Sequence, residues 1–384
     1  MIKYKVLFFS ISLLAVMGVT IPLPVLPAIA QRFMLTTEQV SWVTVAYTSP
    51  GIIMALIAGV LADRLGRKAI LVPGVLLFGI GGLLCAFSLN FTMLIIFRVI
   101  QGMGGGVIGV LYATLPADMY HKEDLPKIMG QISAVASIGI AIFPTVGGLL
   151  GEIVWHAPFW VSILAFPVAW LSFYLPLVKG SSSVKWKKYF IDTKEIITNQ
   201  KALILFSLTF LSYCIYYGPV NTYFPMMAHI RFYVSPAEIG NIFIILAIGI
   251  GMSAFSLGWL NNHVQFNILL LMAGFGYFLA QFSFIIMPSM KWMIVPLIFE
   301  GLAQGITLPI VAERIAILAP TNNRAAVMAV NGSIFRFSQS VSPLIFGLAW
   351  TLWGWHGPYI LGVLFSILII SIVLFIVRKK FNTI

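Results

Sequence analysis

The stretch GVLADRLGRK, residues 59–68, lies where two long apolar segments of the chain meet, residues 40–62 and 69–88. A helix needs about 20 apolar residues to cross the hydrocarbon core of a bilayer, and both segments meet that length. Four of the ten positions in the stretch are charged, whereas charged residues make up 9% of the whole chain. The pattern therefore predicts a short polar loop that joins two membrane-spanning helices.

The composition of the whole chain argues against a water-soluble fold. Hydrophobic residues are 60% of the 384 residues, and charged residues are 9%. In soluble proteins, hydrophobic residues average about half of the chain and charged residues about a quarter. So few charges cannot cover a soluble surface, so we predict an integral membrane protein. The net charge of +12 would suggest nucleic acid in a soluble chain. In a membrane protein it is expected in cytoplasmic loops, and we expect the lipid bilayer and no nucleic acid as a partner.

Marking every apolar run that is long enough to cross a bilayer predicts twelve helices, which we call spans 1 to 12. In chain order they cover residues 6–30, 40–62, 69–88, 91–117, 128–151, 157–178, 202–227, 238–261, 265–288, 292–318, 326–350 and 357–377. The predicted fold class is therefore an all-α integral membrane protein.

Basic residues near the ends of these spans predict the orientation of the chain. If the amino terminus is inside, eighteen of them fall on the inner side, and the three on the outer side are Arg32, Arg231 and Lys291. By the positive-inside rule this topology is strongly favoured. We therefore expect a multi-pass protein of the plasma membrane with both termini in the cytoplasm.

The two halves of the chain resemble each other. Gln101 in span 4 matches Gln304 in span 10, 203 residues later, and Glu38 at the start of span 2 matches Glu238 at the start of span 8, 200 residues later. The ends of spans 2 and 8 match at an offset of 199. Nearly equal offsets and equal orientation indicate a parallel pseudo-repeat of two six-helix bundles, a plan found in transporters.

The repeat predicts an N-terminal bundle over residues 1–178 and a C-terminal bundle over residues 202–384. Between them, residues 179–201 are polar and basic, with aromatic and aliphatic residues at mildly amphipathic spacing. This pattern predicts a cytoplasmic central loop with a short helix on the inner membrane surface. A solvated tether with no other role is the alternative.

The loop of residues 59–68 resembles the signature of the major facilitator superfamily, G-x-L-a-D-r-x-G-r-k, at every characteristic position. The glycines and the basic residues of this loop each have a physical role. Gly59 removes a side chain where helices approach closely, and Gly66 permits a tight turn. Arg67 and Lys68 face anionic headgroups.

The resemblance also implies a conformational latch. In the superfamily, the aspartate at the position of Asp63 lies at the N-terminus of span 11, where the helix dipole favours a carboxylate. An arginine of the loop pairs with it and with an acid at the end of span 4, where this chain has Asp118. The implied latch residues are Gly59, Asp63, Arg64, Gly66, Arg67, Lys68 and Asp118.

Span 4 contains a second resemblance, because Arg98, Gln101 and Gly102 fit the superfamily pattern R-x-x-q-G-x-g. An arginine inside a span costs at least ~2.5 kcal/mol on insertion scales. We therefore expect Arg98 to have a function, either in proton coupling or in tuning the cavity. The glycines that follow would let a neighbouring backbone approach. The alternative is that Arg98 snorkels to the outer surface, roughly 10 Å away.

Span 5 resembles the antiporter motif of the drug:proton exporters, G-x8-G-x3-G-P-x2-G-G. The matching residues are Gly130, Gly139, Pro144, Gly147 and Gly148. One position departs, because Phe143 replaces the glycine before the proline. The resemblance implies export in exchange for protons, and ordinary tight helix packing is the alternative.

Among the eleven acidic residues, only Glu300 in span 10 lies well inside a predicted helix. Burial disfavours the charged form of a carboxyl group, which suits a reversible proton carrier. The alternative is a permanently paired structural glutamate, for example with Arg336 in span 11. Glu152, near the end of span 5, is a second candidate for protonation.

Span 7 presents Tyr213, Tyr216 and Tyr217 on one face by helical spacing. Such a face suits stacking or cation–π contact with a flat, partly apolar or cationic ligand. In the superfamily that the loop resembles, spans 1, 4, 7 and 10 line the central cavity, so we predict substrate contacts from this face, Glu300 and Arg336. Helix packing or anchoring at headgroup level would use the same tyrosines.

Other classes of protein are disfavoured by what the sequence lacks. It contains no G-x-x-x-x-G-K-[ST] stretch, so ATP drive is not expected. Its five histidines show no metal-ligand spacing, and no cluster of nucleophile, base and orienting residue appears. We predict neither an enzyme nor a receptor, no metal and no cofactor, with the proton gradient as the energy source.

The sequence as a whole therefore predicts a proton-coupled exporter of small amphipathic compounds or drugs that works by alternating access as a monomer. Resemblance and chain size suggest a bacterial inner membrane. The alternatives are export of one specific metabolite, such as a siderophore or sugar, and proton-coupled import.

Overall fold

The computed structural model describes residues 2–120, 123–175, 198–318 and 324–378, and these residues form helices and connecting turns without a strand. Ten helical stretches among them are long and apolar enough to cross a membrane. The tenth, Val327–Arg378, contains both span 11 and span 12, and the shorter apolar helix Ala157–Ser172 occupies span 6. Among the described residues, each of the twelve predicted spans thus contains helix, and the all-α membrane fold is confirmed.

Several helices extend beyond the apolar runs that predicted them, because polar residues continue a helix past the hydrocarbon core, whereas Phe266–Ile286 is shorter than the predicted 265–288. Spans 1 to 6 consist of Ile2–Thr20 with Leu26–Phe33, Thr37–Leu65, Arg67–Ala86, Phe91–Met119, Leu125–Ile153, and Ala157–Trp160 with Ala165–Ser172. Short 3-10 turns, Leu23–Val25 and Val161–Leu164, interrupt spans 1 and 6. Proline at positions 22, 24 and 27 accounts for the first interruption, because proline removes backbone donors.

Spans 7 to 12 are built in a similar way. They consist of Gln200–Ile215 with Phe224–Phe232, Pro236–His263, Phe266–Ile286, Ile294–Leu318, Arg324–Trp353 and Gly357–Arg378. The two parts of span 7 are joined by a π-helix, Tyr216–Tyr223. The 3-10 turns Met290–Met293 and Gly354–His356 precede spans 10 and 12.

The π-helix in span 7 follows from Gly218 and Pro219, because proline cannot donate to the helical ladder. Two side chains supply donors nearby. Asn221 Nδ2 donates to the oxygen of Tyr216 at 2.9 Å and Thr222 Oγ1 to that of Tyr217 at 2.8 Å.

Matching capping boxes begin spans 2 and 8. Thr36 and Gln39 exchange backbone–side chain hydrogen bonds of 2.9 and 3.2 Å, and Ser235 and Glu238 do the same at 2.8 and 3.3 Å. Each box satisfies two helix-end donors. The boxes are 199 residues apart, so Gln39 is the equivalent of Glu238. The predicted match of Glu38 with Glu238 is therefore wrong by one position.

The described residues form two compact units. The first lies within Met1–Ser182 and also includes Val234–Ile244, and the second lies within Ser183–Tyr233 and Ile245–Ile384. In the first unit span 4 packs against spans 2 and 3, and in the second span 9 packs against spans 10 and 12. Residues 176–197, which include most of the predicted central loop, lie outside the described residues, so the predicted boundaries at 178 and 202 stay predictions.

Candidate functional site

The loop after span 2 turns at Gly66, whose φ of 96° is in the region that favours glycine. The expected pairing with the end of span 4 is present, because Arg67 Nε donates to Asp118 Oδ2 at 2.6 Å. Lys68 Nζ donates to the main-chain oxygen of Phe173 at the end of span 6. The loop is thereby bound to two other spans of its own unit.

Three latch residues differ from this picture. Close helix approach does not explain Gly59, because an added Cβ there would have no described atom within 4 Å. Arg64 is exposed, and the side chain of Asp63 lies outside the described side chains. The latch role therefore stays a prediction.

Arg98 is buried inside the first unit, with 1% of its surface exposed, so the snorkelling alternative is wrong. Its Nε donates to the oxygen of Val43 in span 2 at 3.0 Å, and its Nη1 donates to that of Gly18 in span 1 at 3.0 Å. Nη1 also donates to Gln101 Oε1 at 2.7 Å. The guanidinium carbon lies 4.5 Å from the ring centroid of Tyr47. The charge is thus compensated by carbonyl dipoles and a ring face.

The glycines after Arg98 bring span 4 against its neighbours. A Cβ on Gly102 would collide with the main-chain oxygen of Tyr47 in span 2, and one on Gly104 would collide with span 3 at Phe78. The second unit repeats the first contact, because a Cβ on Gly305 would collide with the main-chain oxygen of Ile250 in span 8. Both residues of this contact are displaced by 203 positions, the offset predicted from span 4 and span 10.

The glycine-rich face of span 5 makes close contacts with two partners. Gly147 faces the main-chain oxygen of Ile21 in span 1, and Gly148 faces that of Pro236 at the start of span 8. The contact with span 8 is reciprocal, because a Cβ on Gly240 would collide with the oxygen of Pro144. Thr145 Oγ1 also donates to the Gly240 oxygen at 3.3 Å. The antiporter-like motif is therefore a tight packing face for the first residues of span 8.

Two positions of this motif differ from the rest. An added Cβ on Gly130 would have no described atom within 4 Å, so close packing does not explain it. Phe143 is half-buried, and its ring covers Gly139, since an added Cβ there would lie 3.0 Å from Phe143 Cε2. The phenyl group thus fills space above one glycine of its own helix.

Glu300 is the one acidic residue that is buried among the described side chains, with 0% exposure. Its Oε2 accepts a hydrogen bond of 2.9 Å from Gln281 Nε2 in span 9. The alternative pairing with Arg336 is therefore wrong, because the partner of the carboxyl group is an amide. Glu152, the other candidate, is exposed at the end of span 5.

A second polar pair lies one turn further along the same two helices. Tyr277 in span 9 donates from its hydroxyl to Gln304 Oε1 in span 10. Both side chains, like Gln281 and Glu300, are 0% exposed. Gln281 and Tyr277 were not predicted from the sequence, although glutamine inside a long apolar run is itself a signal of a buried polar contact.

The tyrosines of span 7 form a cluster that includes a residue not predicted from sequence. Tyr213 and Tyr217 stack with ring centroids 6.1 Å apart, and Tyr216 meets Tyr217 edge to face at 5.1 Å. Phe335 of span 11 lies 4.4 Å from Tyr213 and 5.9 Å from Tyr217. Tyr216 is buried, whereas Tyr213 and Tyr217 are half-buried. The cluster therefore serves helix packing and leaves two rings partly accessible.

No group of three or more potential metal ligands occurs among the described residues. The chemistry available in the described part is that of one buried acid, one buried arginine and partly accessible aromatic rings. These groups can bind protons and amphipathic or cationic molecules.

A comparison with protein families gives one match across the chain. The family model described as Major Facilitator Superfamily matches residues 8–342 and, in a second alignment, residues 209–383.

Curated relatives match a smaller region. An uncharacterized MFS-type transporter of Mycobacterium tuberculosis is 34% identical over 163 residues, which are 42% of this chain and 23% of that protein. The quinolone resistance protein NorA of Staphylococcus aureus is 32% identical over 165 residues, which are 42% of this chain and 42% of NorA. The chain thus aligns with less than half the length of each relative.

Solved structures match along the whole chain. The nucleoside transporter NupG superposes with a TM-score of 0.81 at 12% identity, over 97% of this chain and 99% of that one. A D-xylose-proton symporter gives 0.77 at 14% identity, over 96% and 97%. A bacterial homolog of the human lysosomal transporter Spinster gives 0.76 at 16% identity, over 98% and 96%. At these identities the likeness shows a shared fold.

Proposed function

Because the chain belongs to the major facilitator superfamily, we propose that it is a proton-coupled antiporter that exports small amphipathic compounds by alternating access. The family consists of transporters and not enzymes, and the chain is a multi-pass membrane protein. Direction, substrate and coupling ion are the parts of this proposal that need experiment.

The observation that carries the proton coupling is the burial of Glu300. A carboxyl group inside a span is costly to keep charged, and acids in such places commonly carry protons. Glu300 is fully buried and has an amide as its hydrogen-bond partner, so its proton is not displaced by a basic residue. It can therefore exchange a proton with changes in its surroundings.

Three observations support export of amphipathic compounds. The glycine face of span 5 fits the antiporter motif in all but one position, and it packs closely on span 8. The relative NorA is named for quinolone resistance and is 32% identical over 165 residues. The half-buried rings of Tyr213 and Tyr217 suit stacking with a flat or cationic substrate.

The remaining parts of the proposal concern setting and partners. The protein works as a monomer in the bacterial plasma membrane, with both termini in the cytoplasm, and binds lipid and a small-molecule substrate. The proton gradient supplies the energy, without a further cofactor. The loop of residues 59–68 and Asp118 latch one conformation.

Everted membrane vesicles with a fluorescent amphipathic cation, such as ethidium, test the proposal. Acid-inside energisation is expected to drive accumulation of the dye in vesicles with the wild-type protein. Glu300→Gln keeps the side-chain volume and removes titration, so accumulation is expected to stop while dye binding persists. The control is Glu313→Gln, which makes the same change at an exposed position of the same span and is expected to transport normally.

Other outcomes have definite meanings. Normal accumulation by Glu300→Gln would move coupling elsewhere, with Glu152 the next candidate. Proton-driven loss of dye from preloaded vesicles would indicate import, the alternative function. If ethidium is ignored but a single siderophore or sugar is moved, the protein is a specific metabolite exporter.

A further inference from the structure

Three buried polar atoms near Glu300 have no hydrogen-bond partner: Gln304 Nε2, one turn along span 10, and one oxygen each of Glu300 and Gln281. Glu300 and Gln281 are both 0% exposed and share one hydrogen bond, from Gln281 Nε2 to Glu300 Oε2 at 2.9 Å. The other oxygen of each group, Glu300 Oε1 and Gln281 Oε1, is buried without a hydrogen-bond partner. Buried polar atoms in native proteins nearly always have partners, so this pair needs an explanation.

An ionised carboxylate offers only acceptors, and so does an amide oxygen. If Glu300 were charged, both leftover atoms would be acceptors with nothing to accept. A protonated carboxyl group has one O–H donor, so a single proton on Glu300 Oε1 supplies what both atoms lack. The nitrogen and oxygen of the Gln281 amide can also be assigned the other way round. The amide would then donate to Glu300 Oε1 and accept from Glu300 Oε2, so the carboxyl group would still need one proton.

We propose that this conformation holds Glu300 as the neutral acid in a cyclic acid–amide pair with Gln281. Gln281 Nε2–H donates to Glu300 Oε2, and Glu300 Oε1–H donates to Gln281 Oε1. Gln281 is then a positioning residue for the proton carrier, and this role rests on the proposed proton coupling. Release of the proton breaks one of the two bonds and sets two bare oxygens against each other, which favours a rearrangement between spans 9 and 10.

The surroundings of the pair fit a neutral acid. Two buried tyrosines, Tyr277 of span 9 and Tyr216 of span 7, interact electrostatically with the Glu300 carboxyl. On span 12 the neighbour is Gly362, where an added Cβ would lie 2.5 Å from Gln281 Oε1. On span 8, main-chain atoms of Leu246 and Gly249 lie against Gly301, the residue that follows Glu300. Among the described residues, the Glu300 carboxyl forms no ion pair with a basic side chain, and Gly362 leaves room for the amide.

Infrared spectroscopy of the purified full-length protein at neutral pH tests the pair, because a protonated carboxyl group has its own C=O band and hydrogen bonding lowers its frequency. The wild-type protein is expected to show a hydrogen-bonded acid band that Glu300→Gln removes. Gln281→Leu is expected to shift the band upward, to the position of an acid without a partner. The control Gln304→Leu changes the neighbouring buried glutamine, whose partner is Tyr277, and should leave the band in place.

A swapped pair covers the case in which Gln281→Leu does not fold. Gln281→Glu combined with Glu300→Gln moves the acid to span 9 and keeps one acid and one amide, so a hydrogen-bonded acid band is expected. The proposal is overturned if the wild-type protein shows no band that depends on Glu300, if Gln281→Leu leaves the band unshifted, or if the swapped acid is ionised. The infrared measurement does not depend on transport. If the acid–amide pair is confirmed but Glu300→Gln exports normally, the pair is correct and only the proposed role of Glu300 in proton coupling is wrong.

Discussion

The hydroxyl of Ser342 in span 11 donates a hydrogen bond of 2.6 Å to the main-chain oxygen of Cys214 in span 7. Cys214 precedes Pro219 by five residues, and proline lacks the N–H that the π-helical pattern would direct at this oxygen. A Cβ on Gly218 would meet Ser342 Oγ at 2.5 Å. The absence of a side chain on Gly218 thus leaves room for Ser342, whose hydroxyl replaces the backbone donor that Pro219 lacks.

This relationship predicts a stability loss for Ser342→Ala. The change leaves a buried carbonyl without its side-chain donor, which costs roughly 1–3 kcal/mol, and membrane helix contacts of this kind average about 0.6 kcal/mol. We expect a loss of about 1 kcal/mol by reversible unfolding in detergent. The matched control is Ser340→Ala, because Ser340 is also buried but bonds only within its own helix, to Arg336. Equal effects of the two substitutions would contradict this account.

Arg98→Ala is expected to act through stability and not through ligand binding. It removes donors from the oxygens of Val43 and Gly18 and from Gln101, and each orphaned buried acceptor costs roughly 1–3 kcal/mol. We expect a loss of several kcal/mol in thermal unfolding, with Arg32→Ala, at an exposed arginine, as the neutral control. A stable variant with weakened substrate binding would instead support the cavity role that the sequence suggested.

Substitutions in the latch are expected to impair transport and to leave stability almost unchanged. Asp118→Asn breaks an ion pair whose side chains are 13% and 30% exposed, and such pairs contribute at most about 1 kcal/mol to stability. Transport is nevertheless expected to fall strongly, because the pair favours one of two conformations.

Asp63→Asn is expected to nearly abolish transport while insertion and expression persist. Vesicle uptake measures transport, and membrane immunoblotting measures insertion and expression. The control for both variants is Glu123→Gln, which changes an exposed loop acid. Normal uptake by Asp63→Asn would show that the latch role is wrong.

Phe143 and Gly139 are expected to be energetically coupled. Because Phe143 is half-buried, Phe143→Ala should cost less than the ~3–5 kcal/mol of a fully buried phenylalanine truncation. Gly139→Ala places a methyl group 3.0 Å from the Phe143 ring, and overpacking costs about 1–3 kcal/mol. The methyl group would also lie 2.9 Å from Val16 and 3.0 Å from Leu13. In the double variant the contact with the ring is relieved and these two remain, so the combined loss should be somewhat smaller than additive. Additive losses in detergent unfolding would show that the two side chains do not influence each other.

Much of the architecture could be predicted because its signals run along the chain. Apolar length marks each span, and the polar break at Gly66 and its neighbours marks the turn after span 2. The single acid inside a span, Glu300, stands out for the same reason. The partners of these residues could not be predicted, because Gln281 and Phe335 belong to other helices, and their contacts depend on how those helices are rotated.

The sequence by itself determined that the chain crosses the membrane, roughly where each span begins and ends, and which family signatures it carries. These properties follow from the free energy of placing each residue in hydrocarbon, which is additive along the chain. Only the tertiary structure decided that Arg98 turns inward to carbonyl groups of spans 1 and 2, and that Glu300 pairs with Gln281 and not with Arg336. Spans that are apolar on every face give no periodic signal for the side that packs inward, so rotation is decided by close contacts between helices.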